Sequence, residues 1–432
     1  MSHVTRRKFI GQVAAGSAAL AAPSVAGAAR APQTATHKLA QEKTEVVVYH
    51  IWGTPPGGEQ AETLHPMMQV IEAFNAQSDS VTITSLTPGN YYETMQKTQA
   101  DLAAGNPPDL VSIPWAFLEY AVEGLGVRPL TDIAGDQFET LQGMMSETSW
   151  PLVTKDDTVW GFPWGLSTPI LYYNADLLKQ ADVDPAVMFD TWENFATESL
   201  KVQEAMGGKP VLSLSFNKDW PAQTIIQSNG GRVMNDDGTF GFTSDEAKQA
   251  MQTIADLDNQ GLYDRGAAAE LRPNFLTGNS AVFQGSVASL GGIAREATFE
   301  FGTSTWPKFG DKPVVASTGG SFLGCFTQDE AKYAAVTEFL TFCAGEEGYP
   351  LWNQTGYVNI SNLELERLDG QDPAYDQFEA GLIRETNWPG LRGVEAGSTW
   401  DVYCERMWAN DISVEEGVNQ AYEEIKSIVG EG

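Results

Sequence analysis

Strands and helices alternate in the first part of the chain, and this alternation restricts the fold more than any other feature. Residues 45–52 (EVVVYHIW) have the continuous apolar character of a buried strand, and 81–86 (VTITSL) and 109–113 (DLVSI) follow as a second and a third strand. Helical patterns separate them at 64–74 and 91–104. Because this order is typical of a parallel sheet covered by helices, the sequence predicts an α/β fold.

Two extended stretches later in the chain suit crossings between two lobes. Residues 160–173 (WGFPWGLSTPILYY) are broken by glycine and proline and lead into a helix near Asn174, and 301–307 (FGTSTWP) has a similar character. A helix at 192–206 and a strand at 211–216 lie between them. We therefore expect two α/β lobes. Lobe 1 contains residues 44–165 and 304–350, and lobe 2 contains residues 166–303 and 351–429.

The N-terminus has the features of an export signal. Arg6 and Arg7 open a positive region, which an Ala-, Gly- and Val-rich stretch at 10–25 follows, and small residues at 26–28 suit a signal peptidase. The alternative is an arginine pair before an ordinary helix, but the stretch is too short to span a bilayer. We expect a twin-arginine signal peptide at 1–28, a disordered tether at 29–43, and a periplasmic protein.

The charge of the chain restricts its partners. It has 26 Lys and Arg against 57 Asp and Glu, a net charge of −31. Nucleic acids and anionic lipids bind to clustered Lys and Arg, so we expect no nucleic-acid partner and no electrostatic binding to membranes. Cys325, Cys343 and Cys404 match no metal-site spacing, and one disulfide or three buried thiols are both open.

The sequence contains no motif of the common catalytic or nucleotide-binding sites. A phosphate-binding loop, a G-x-S-x-G elbow and an H-E-x-x-H helix are all missing from it. His50 and His65 are the two histidines in the predicted folded part, and so few histidines argue against a zinc site and against a Ser-His-Asp triad. We expect no cofactor, no catalysis, and energy coupling by another protein.

Five segments carry a family resemblance. They are 168–174 (TPILYYN), 191–195 (TWENF), 227–231 (QSNGG), 275–281 (FLTGNSA) and 356–361 (GYVNIS). In this order the chain resembles the bacterial extracellular solute-binding proteins of carbohydrate ABC importers over about residues 44–429. The resemblance implies a fold similar to type II periplasmic binding proteins, with two α/β lobes and a ligand cleft between them.

The resemblance also implies a function. Such a monomer captures a sugar, a polyol or a sugar or glycerol phosphate by lobe closure, and delivers it to an ABC permease that works with a separate ATPase. The chain looks closest to the glycerol-3-phosphate-binding type of the family, judged by 89–91 (GNY), 167–169 (STP), 318–321 (TGGS), 355–357 (TGY) and 391–393 (LRG). This likeness implies ligand contacts by the following residues: Tyr91, Ser167, Ser286 or Ser289, Gly320, Tyr357 and Arg392.

One position departs from that type. Trp115 stands where the glycerol-3-phosphate type has an acidic residue, and this favours a larger glycoside whose ring stacks on the indole. Trp115 also ends a predicted parallel strand, and Trp220 starts a helix after a strand, which is where open α/β sheets bind ligands. The alternative for both tryptophans is a structural role in the hydrophobic core, without contact to a ligand. Arg392 could bind a phosphate, or form a salt bridge with Glu395.

Two other classes of protein fit parts of the sequence. In an exported carbohydrate-active hydrolase the aromatic residues would form subsites, and two of the many acidic residues would act as acid and base or nucleophile. A sensor protein that carries its ligand to a chemoreceptor would use the same closure of two lobes around the ligand. The order of the motifs favours the solute-binding protein, while the identity, charge and affinity of the ligand stay open.

Overall fold

The computed structural model describes residues 43–53, 65–214, 218–266, 268–380, 385–386 and 388–430. The predicted signal peptide, and the predicted tether apart from its last residue, lie outside them. Within the described part of the chain, no helix combines the length and the apolar character that a membrane span requires.

The first sheet begins with the predicted strand and helix alternation. Its strands are β1 (Thr44–Tyr49), β2 (Val81–Leu86), β3 (Leu110–Pro114), β6 (Phe162–Ser167) and β11 (Gly319–Cys325) in the order β2-β1-β3-β11-β6. Strand β1 pairs in parallel with both β2 and β3, whereas β11 is antiparallel to β3 and β6. A sheet that starts parallel and ends antiparallel brings a late segment of the chain beside the carboxyl end of β3.

A second sheet comes from the middle of the chain. It contains β7 (Pro169–Asn174), β8 (Leu212–Ser213), β9 (Val282–Ser286) and β10 (Phe301–Ser304) in the order β10-β7-β9-β8. The strand predicted at 211–216 is shorter here, and residues 215–217 lie outside the described ranges. A small hairpin of β4 (Thr154–Lys155) and β5 (Thr158–Val159) lies between β3 and β6 in the chain. The prediction of an α/β fold is confirmed.

Helices cover both sheets. They are α1 (Pro66–Gln77), α2 (Tyr91–Ala103), α3 (Leu130–Ala134), α4 (Phe138–Gly143), α5 (Ala175–Gln180), α6 (Pro185–Met188), α7 (Trp192–Ala205), α8 (Asp219–Ser228), α9 (Asp245–Asn259), α10 (Ala268–Leu276), α11 (Leu290–Glu296), α12 (Tyr333–Ala344), α13 (Tyr349–Asn353), α14 (Asp372–Ala380), α15 (Gly393–Trp408) and α16 (Val414–Val429). Side-chain caps define the N-termini of several of these helices. Asn90 and Glu93 form a reciprocal capping box on α2, and Thr191 and Ser413 cap α7 and α16.

The chain crosses from the first sheet to the second at a single residue. Strand β6 ends at Ser167 and β7 begins at Pro169, so Thr168 alone separates them. Thr168 is fully buried, and the side-chain amide of Gln377 donates to its hydroxyl oxygen and to the carbonyl of Pro169, both at 3.1 Å. The indole of Trp306 donates to the same carbonyl at 2.8 Å. These bonds stabilise the observed conformation of the crossing.

Two hydrophobic clusters follow the two sheets. The first surrounds the first sheet and extends to Phe283 of β9 and Leu290 of α11, whereas the second cluster packs α8, α9, α15 and α16 together. Trp306 and Val314 pack in the second cluster, and Trp352 packs in the first. Successive residues of a strand face opposite sides of a sheet, and Ile170 of β7 lies in the first cluster while Leu171 lies in the second. The two clusters therefore bury opposite faces of the second sheet.

The cysteines are buried free thiols. Cys325, Cys343 and Cys404 form no disulfide, and burial raises the pKa of each thiol, that of Cys325 to about 12. Such thiols remain protonated and packed at neutral pH. Of the two alternatives that the sequence left open, the structure has the buried thiols.

The pairing of β11 with β6 generates a stability prediction. Gly320 has a φ of +104°, and a Cβ placed there would lie 2.0 Å from the carbonyl oxygen of Gly165. Because backbone must move to relieve this clash, Gly320→Ala should lower the free energy of unfolding by about 3 kcal/mol. The control Gly310→Ala, at a φ of +59° with open space around it, should cost about 1 kcal/mol. Equal losses in urea unfolding would contradict the close approach.

Candidate functional site

Aromatic rings gather at the carboxyl end of β1. Tyr357 stacks on Trp352 with ring centroids 4.8 Å apart and an interplanar angle of 16°, and Trp52 meets Trp352 edge-on, also at 4.8 Å. Trp164 stacks on the other side of Trp352 at 4.5 Å, and the Trp352 indole donates to the Trp164 carbonyl. The bond fixes the Trp352 ring, so Tyr357 is held on a rigid aromatic surface.

Indoles from the two sheets meet at the start of β11. Trp115, in the turn that follows β3, donates from Nε1 to the carbonyl of Gly319 at 2.8 Å. Trp220, in the first turn of α8, donates to the carbonyl of Thr318 at 3.1 Å. A Cβ on Gly319 would lie 2.3 Å from the Trp220 ring and 2.9 Å from the hydroxyl oxygen of Ser167. The structure therefore brings Trp115, Ser167, Trp220 and Gly320 together.

Tyr91 lies next to Tyr357 in this aromatic group. Burial raises the pKa of Tyr357 to about 12, and that of Tyr91 well above its usual range. The two phenols influence each other's pKa, and Ser321 of β11 acts on Tyr91 as well. The Ser321 hydroxyl and the Tyr357 phenol are the hydrogen-bonding neighbours of the Tyr91 hydroxyl, so the three hydroxyl groups lie together.

Ser286 lies beside the segment that carries Tyr357, but its hydroxyl group already takes part in a hydrogen bond. Its hydroxyl oxygen accepts from the backbone amide of Ala288, and its carbonyl accepts from the Tyr172 hydroxyl at 2.8 Å. A Cβ on Gly356 would lie 2.5 Å from the carbonyl oxygen of Val287, so this turn packs against the segment that carries Tyr357. Ser289 precedes α11 and makes no side-chain cap there.

Arg392 is the predicted site residue that the structure does not bring to this group. Its side chain is 54% exposed, and its guanidinium binds the Glu395 carboxylate through Nε at 2.7 Å and Nη2 at 2.5 Å. The salt bridge that the sequence offered as an alternative is thus the observed one. Ligand contact by any of the predicted residues stays a prediction.

Sequence reasoning missed a group of acidic side chains next to Trp220. The Asp401 carboxylate accepts from the backbone amides of Lys218 and Asp219, and so caps the start of α8. Gln223 donates to Asp219 at 3.0 Å and accepts from the backbone amide of Thr386. Asp219 directly precedes Trp220, and this position was the available sequence signal. Nothing in the neighbouring sequence distinguishes Asp219 from the many exposed acidic residues.

Burial changes the protonation of these groups. It raises the pKa of Asp219 to about 7 and that of Asp401 above its usual range, because the charged form loses its hydration. The pKa of Glu385 is raised well above its usual range, first by burial and then by the charge of Asp219. Lys218 shows the reverse, since burial lowers its pKa to about 8. The site therefore holds carboxyl groups that are partly protonated at neutral pH.

Metal chemistry has no support in this part of the chain. Among the described residues, no three His, Cys, Asp or Glu side chains are grouped so that they could hold a metal ion. Two surface cavities of about 860 and 310 Å³ lie elsewhere, one near Trp150 and one near Tyr403. The aromatic, hydroxyl and carboxyl groups together are suited to bind a hydrophilic solute by stacking and hydrogen bonds.

The family comparison decides what kind of protein has this site. The model of the bacterial extracellular solute-binding proteins matches residues 69–374. The chain belongs to this family. The predicted resemblance is confirmed.

Several known proteins are similar to this solute-binding protein. The sn-glycerol-3-phosphate-binding periplasmic protein UgpB of Escherichia coli (strain K12) is 24% identical over 379 residues, which cover 82% of this chain and 86% of that protein. Among solved structures, the ABC substrate-binding protein Lmo0181 from Listeria monocytogenes, in complex with cycloalternan, has a TM-score of 0.77 at 16% identity and covers 90% of this chain and 100% of its own.

UgpB from Mycobacterium tuberculosis, in complex with glycerophosphocholine, has a TM-score of 0.76 at 18% identity. It covers 90% of this chain and 98% of its own. The two structures share the fold with the solute-binding protein, and the prediction of a fold similar to type II periplasmic binding proteins is confirmed.

The raised pKa of Asp219 generates a pH prediction for the solute-binding protein. Its folded pKa of about 7 exceeds the ordinary 3.8, so the folded state binds more protons between about pH 4 and 7. Stability from this group is present below pH 4 and is lost as the pH rises to 7, by up to about 4 kcal/mol.

Asp219→Asn should remove this loss while keeping the oxygen that accepts from Gln223. Urea unfolding of both proteins from pH 4 to 8 measures it, because the difference between them cancels the opposite slope from His50 and His65, whose pKa values burial lowers to about 3 and about 4. The control is Asp136→Asn, at an exposed aspartate. Parallel curves for all three proteins would show that Asp219 is not buried as a neutral acid.

Proposed function

We propose that this chain is the periplasmic substrate-binding component of an ABC importer. The observation that carries the proposal is the meeting of Trp115 and Trp220, from elements of different sheets, at Thr318 and Gly319, with Tyr91 and Tyr357 beside them. Aromatic rings from both sides of a boundary are suited to cover the two faces of one small solute.

Solute capture proceeds by closure of two lobes. The proposed lobes are 44–165 with 304–350 and 166–303 with 351–429. Sheet membership supports a boundary near Thr168, since β6 and β7 lie on different sheets on either side of it. A solute that touches both lobes binds the closed form more tightly than the open one and so shifts the population to it. The closed pair then presents a surface that the permease recognises.

The solute is a sugar, a polyol, or a sugar or glycerol phosphate. The relatives support this range, since one is named for sn-glycerol 3-phosphate and the similar structures contain cycloalternan and glycerophosphocholine. Within it, the indoles favour a solute with a ring. The hydrolase alternative is weaker because the matching family consists of binding proteins, and we propose that the chain catalyses no reaction.

The route and the partners complete the proposal. Arg6 and Arg7 support export through the twin-arginine pathway, so that the protein reaches the periplasm already folded. It works there as a monomer with the transmembrane subunits of a permease, and a separate ATPase supplies the energy. The low content of Lys and Arg supports the exclusion of nucleic-acid partners.

The proposal predicts binding without turnover. In calorimetric and thermal-shift titrations with maltose, cycloalternan, glycerophosphocholine and sn-glycerol 3-phosphate, at least one compound should bind stoichiometrically and be recovered intact. Trp220→Ala should weaken that compound about 30-fold, since a buried ring at the centre of a site contributes about 2 kcal/mol. The control Trp160→Ala removes another half-buried indole, which donates to Lys155 in the β4–β5 hairpin.

Equal weakening by both tryptophan variants would remove Trp220 from the site. Release of a monosaccharide from maltose or cycloalternan would contradict the whole proposal and favour the hydrolase.

A further inference from the structure

One buried glutamine bonds to two of the connections between the sheets. Gln377, on α14, is 1% exposed, and its side-chain amide donates to the Thr168 hydroxyl and to the Pro169 carbonyl, each at 3.1 Å. Its amide oxygen accepts from the backbone amide of Trp306 at 3.4 Å. Thr168 connects β6 to β7, and Trp306 lies on the segment that connects β10 to β11. A single side chain therefore joins the first connection to the second.

The two connections also contact each other directly. The Trp306 indole donates to the Pro169 carbonyl at 2.8 Å, so this carbonyl accepts from both Trp306 and Gln377. A carbonyl oxygen has two lone pairs, and the two donors use both of them. Hydrogen bonds weaken steeply as their distance and angle change, so neither connection can rotate far by itself without loss of these bonds.

Helix α14 also precedes a third passage of the chain. Ala374 of α14 packs in the first cluster, whereas Trp388 and Ala396 pack in the second. The chain therefore passes from the first cluster to the second after α14. Gln377 lies in the second half of this helix, and it bonds to the first two connections from the element that leads to the third.

The start of the same helix holds the segment that carries Tyr357. Gln371, which is 1% exposed, directly precedes α14, and its side-chain amide donates to the carbonyls of Gly356 at 2.9 Å and of Tyr357 at 3.2 Å. Its amide oxygen accepts from the backbone amide of Leu368 at 2.6 Å. Tyr357 is the ring that stacks on Trp352 in the candidate site. Helix α14 thus links the connections between the sheets to the aromatic group.

We infer that Gln377 is a positioning residue, which couples the first two connections to α14 and so stabilises the orientation of the sheets in which Trp220 lies against the Thr318 carbonyl. The inference rests on the proposed function and concerns the regulation of lobe closure. A glutamine amide has two N–H donors, and Thr168 and Pro169 use both of them. Gln377 therefore acts through the orientation of the sheets and not by donation to a solute.

A distance measurement on the full chain without added solute tests the coupling. Spin labels at Asp136→Cys, between α3 and α4, and at Asp256→Cys, on α9, mark exposed positions beside the two clusters, and the three native thiols are buried. Gln377→Met keeps the length of the side chain and removes its three hydrogen bonds. Pulsed electron paramagnetic resonance should then give a broader distance distribution, shifted to longer distances.

Asn75→Leu is the matched control. Its side-chain amide also makes two hydrogen bonds to backbone, but both go to Ile83 within the first sheet, the donated one at 2.9 Å and the accepted one at 2.7 Å. This variant should keep the distance distribution of the wild type even if its melting temperature falls. An unchanged distribution in Gln377→Met, or the same change in both variants, would overturn the inference.

Solute affinity gives a second readout. When the binding-competent orientation is less populated, the apparent Kd of every solute rises by the same factor. Calorimetry with maltose, cycloalternan, glycerophosphocholine and sn-glycerol 3-phosphate should therefore show each compound that binds weakened about fivefold by Gln377→Met. Unchanged affinity, or factors that differ between solutes as expected for a direct contact, would overturn the inference.

A conservative variant keeps the test valid if Gln377→Met does not fold. Thr168→Val removes one acceptor of the Gln377 amide and preserves the branched shape. It should change the distance distribution in the same direction to a smaller extent, and an unchanged distribution would count equally against the inference. Failure of all four compounds to bind to the wild type would instead contradict the proposed function, while the distance measurement would still test Gln377.

Discussion

The site depends on how the chain passes from one sheet to the other at Thr168. One fully buried residue separates β6 from β7, and Gln377 and Trp306 hold it by hydrogen bonds. A connection this short fixes the distance between the sheet edges and still allows rotation about a few backbone angles. Hinges of binding proteins have this character, because a few residues at the ends of elements absorb the change in φ and ψ. We therefore propose this crossing as the hinge of the lobe closure.

Indole hydrogen bonds fix the aromatic rings at the boundary between the two sheets. Each of Trp115, Trp220 and Trp352 donates its ring N–H to a backbone carbonyl, and this bond fixes the orientation of each ring. Buried indoles usually need such an acceptor. Since the acceptors of two of them are Thr318 and Gly319, the start of β11 joins elements from both sheets.

Much of the fold was predictable because its signals are local. The strand at 81–86 and the helix at 414–429 occur at the predicted residues, since periodicity alone defines them. The convergence of Trp115 with Trp220 followed from the rule that ligands bind at the carboxyl ends of strands. Asp219 and Glu385 were missed because their burial is a tertiary property, invisible among 57 acidic residues. Arg392 pairs with Glu395 three residues away, a local contact that competes with any ligand.

The account is tested most directly by a crystal structure of the mature protein purified from its own cells without dialysis. It predicts electron density for one intact, hydroxylated solute that touches Trp220 on one side and Tyr357 on the other. Density for a solute bound elsewhere, such as the cavity near Trp150, or for a cleaved sugar between the two sheets, would contradict it.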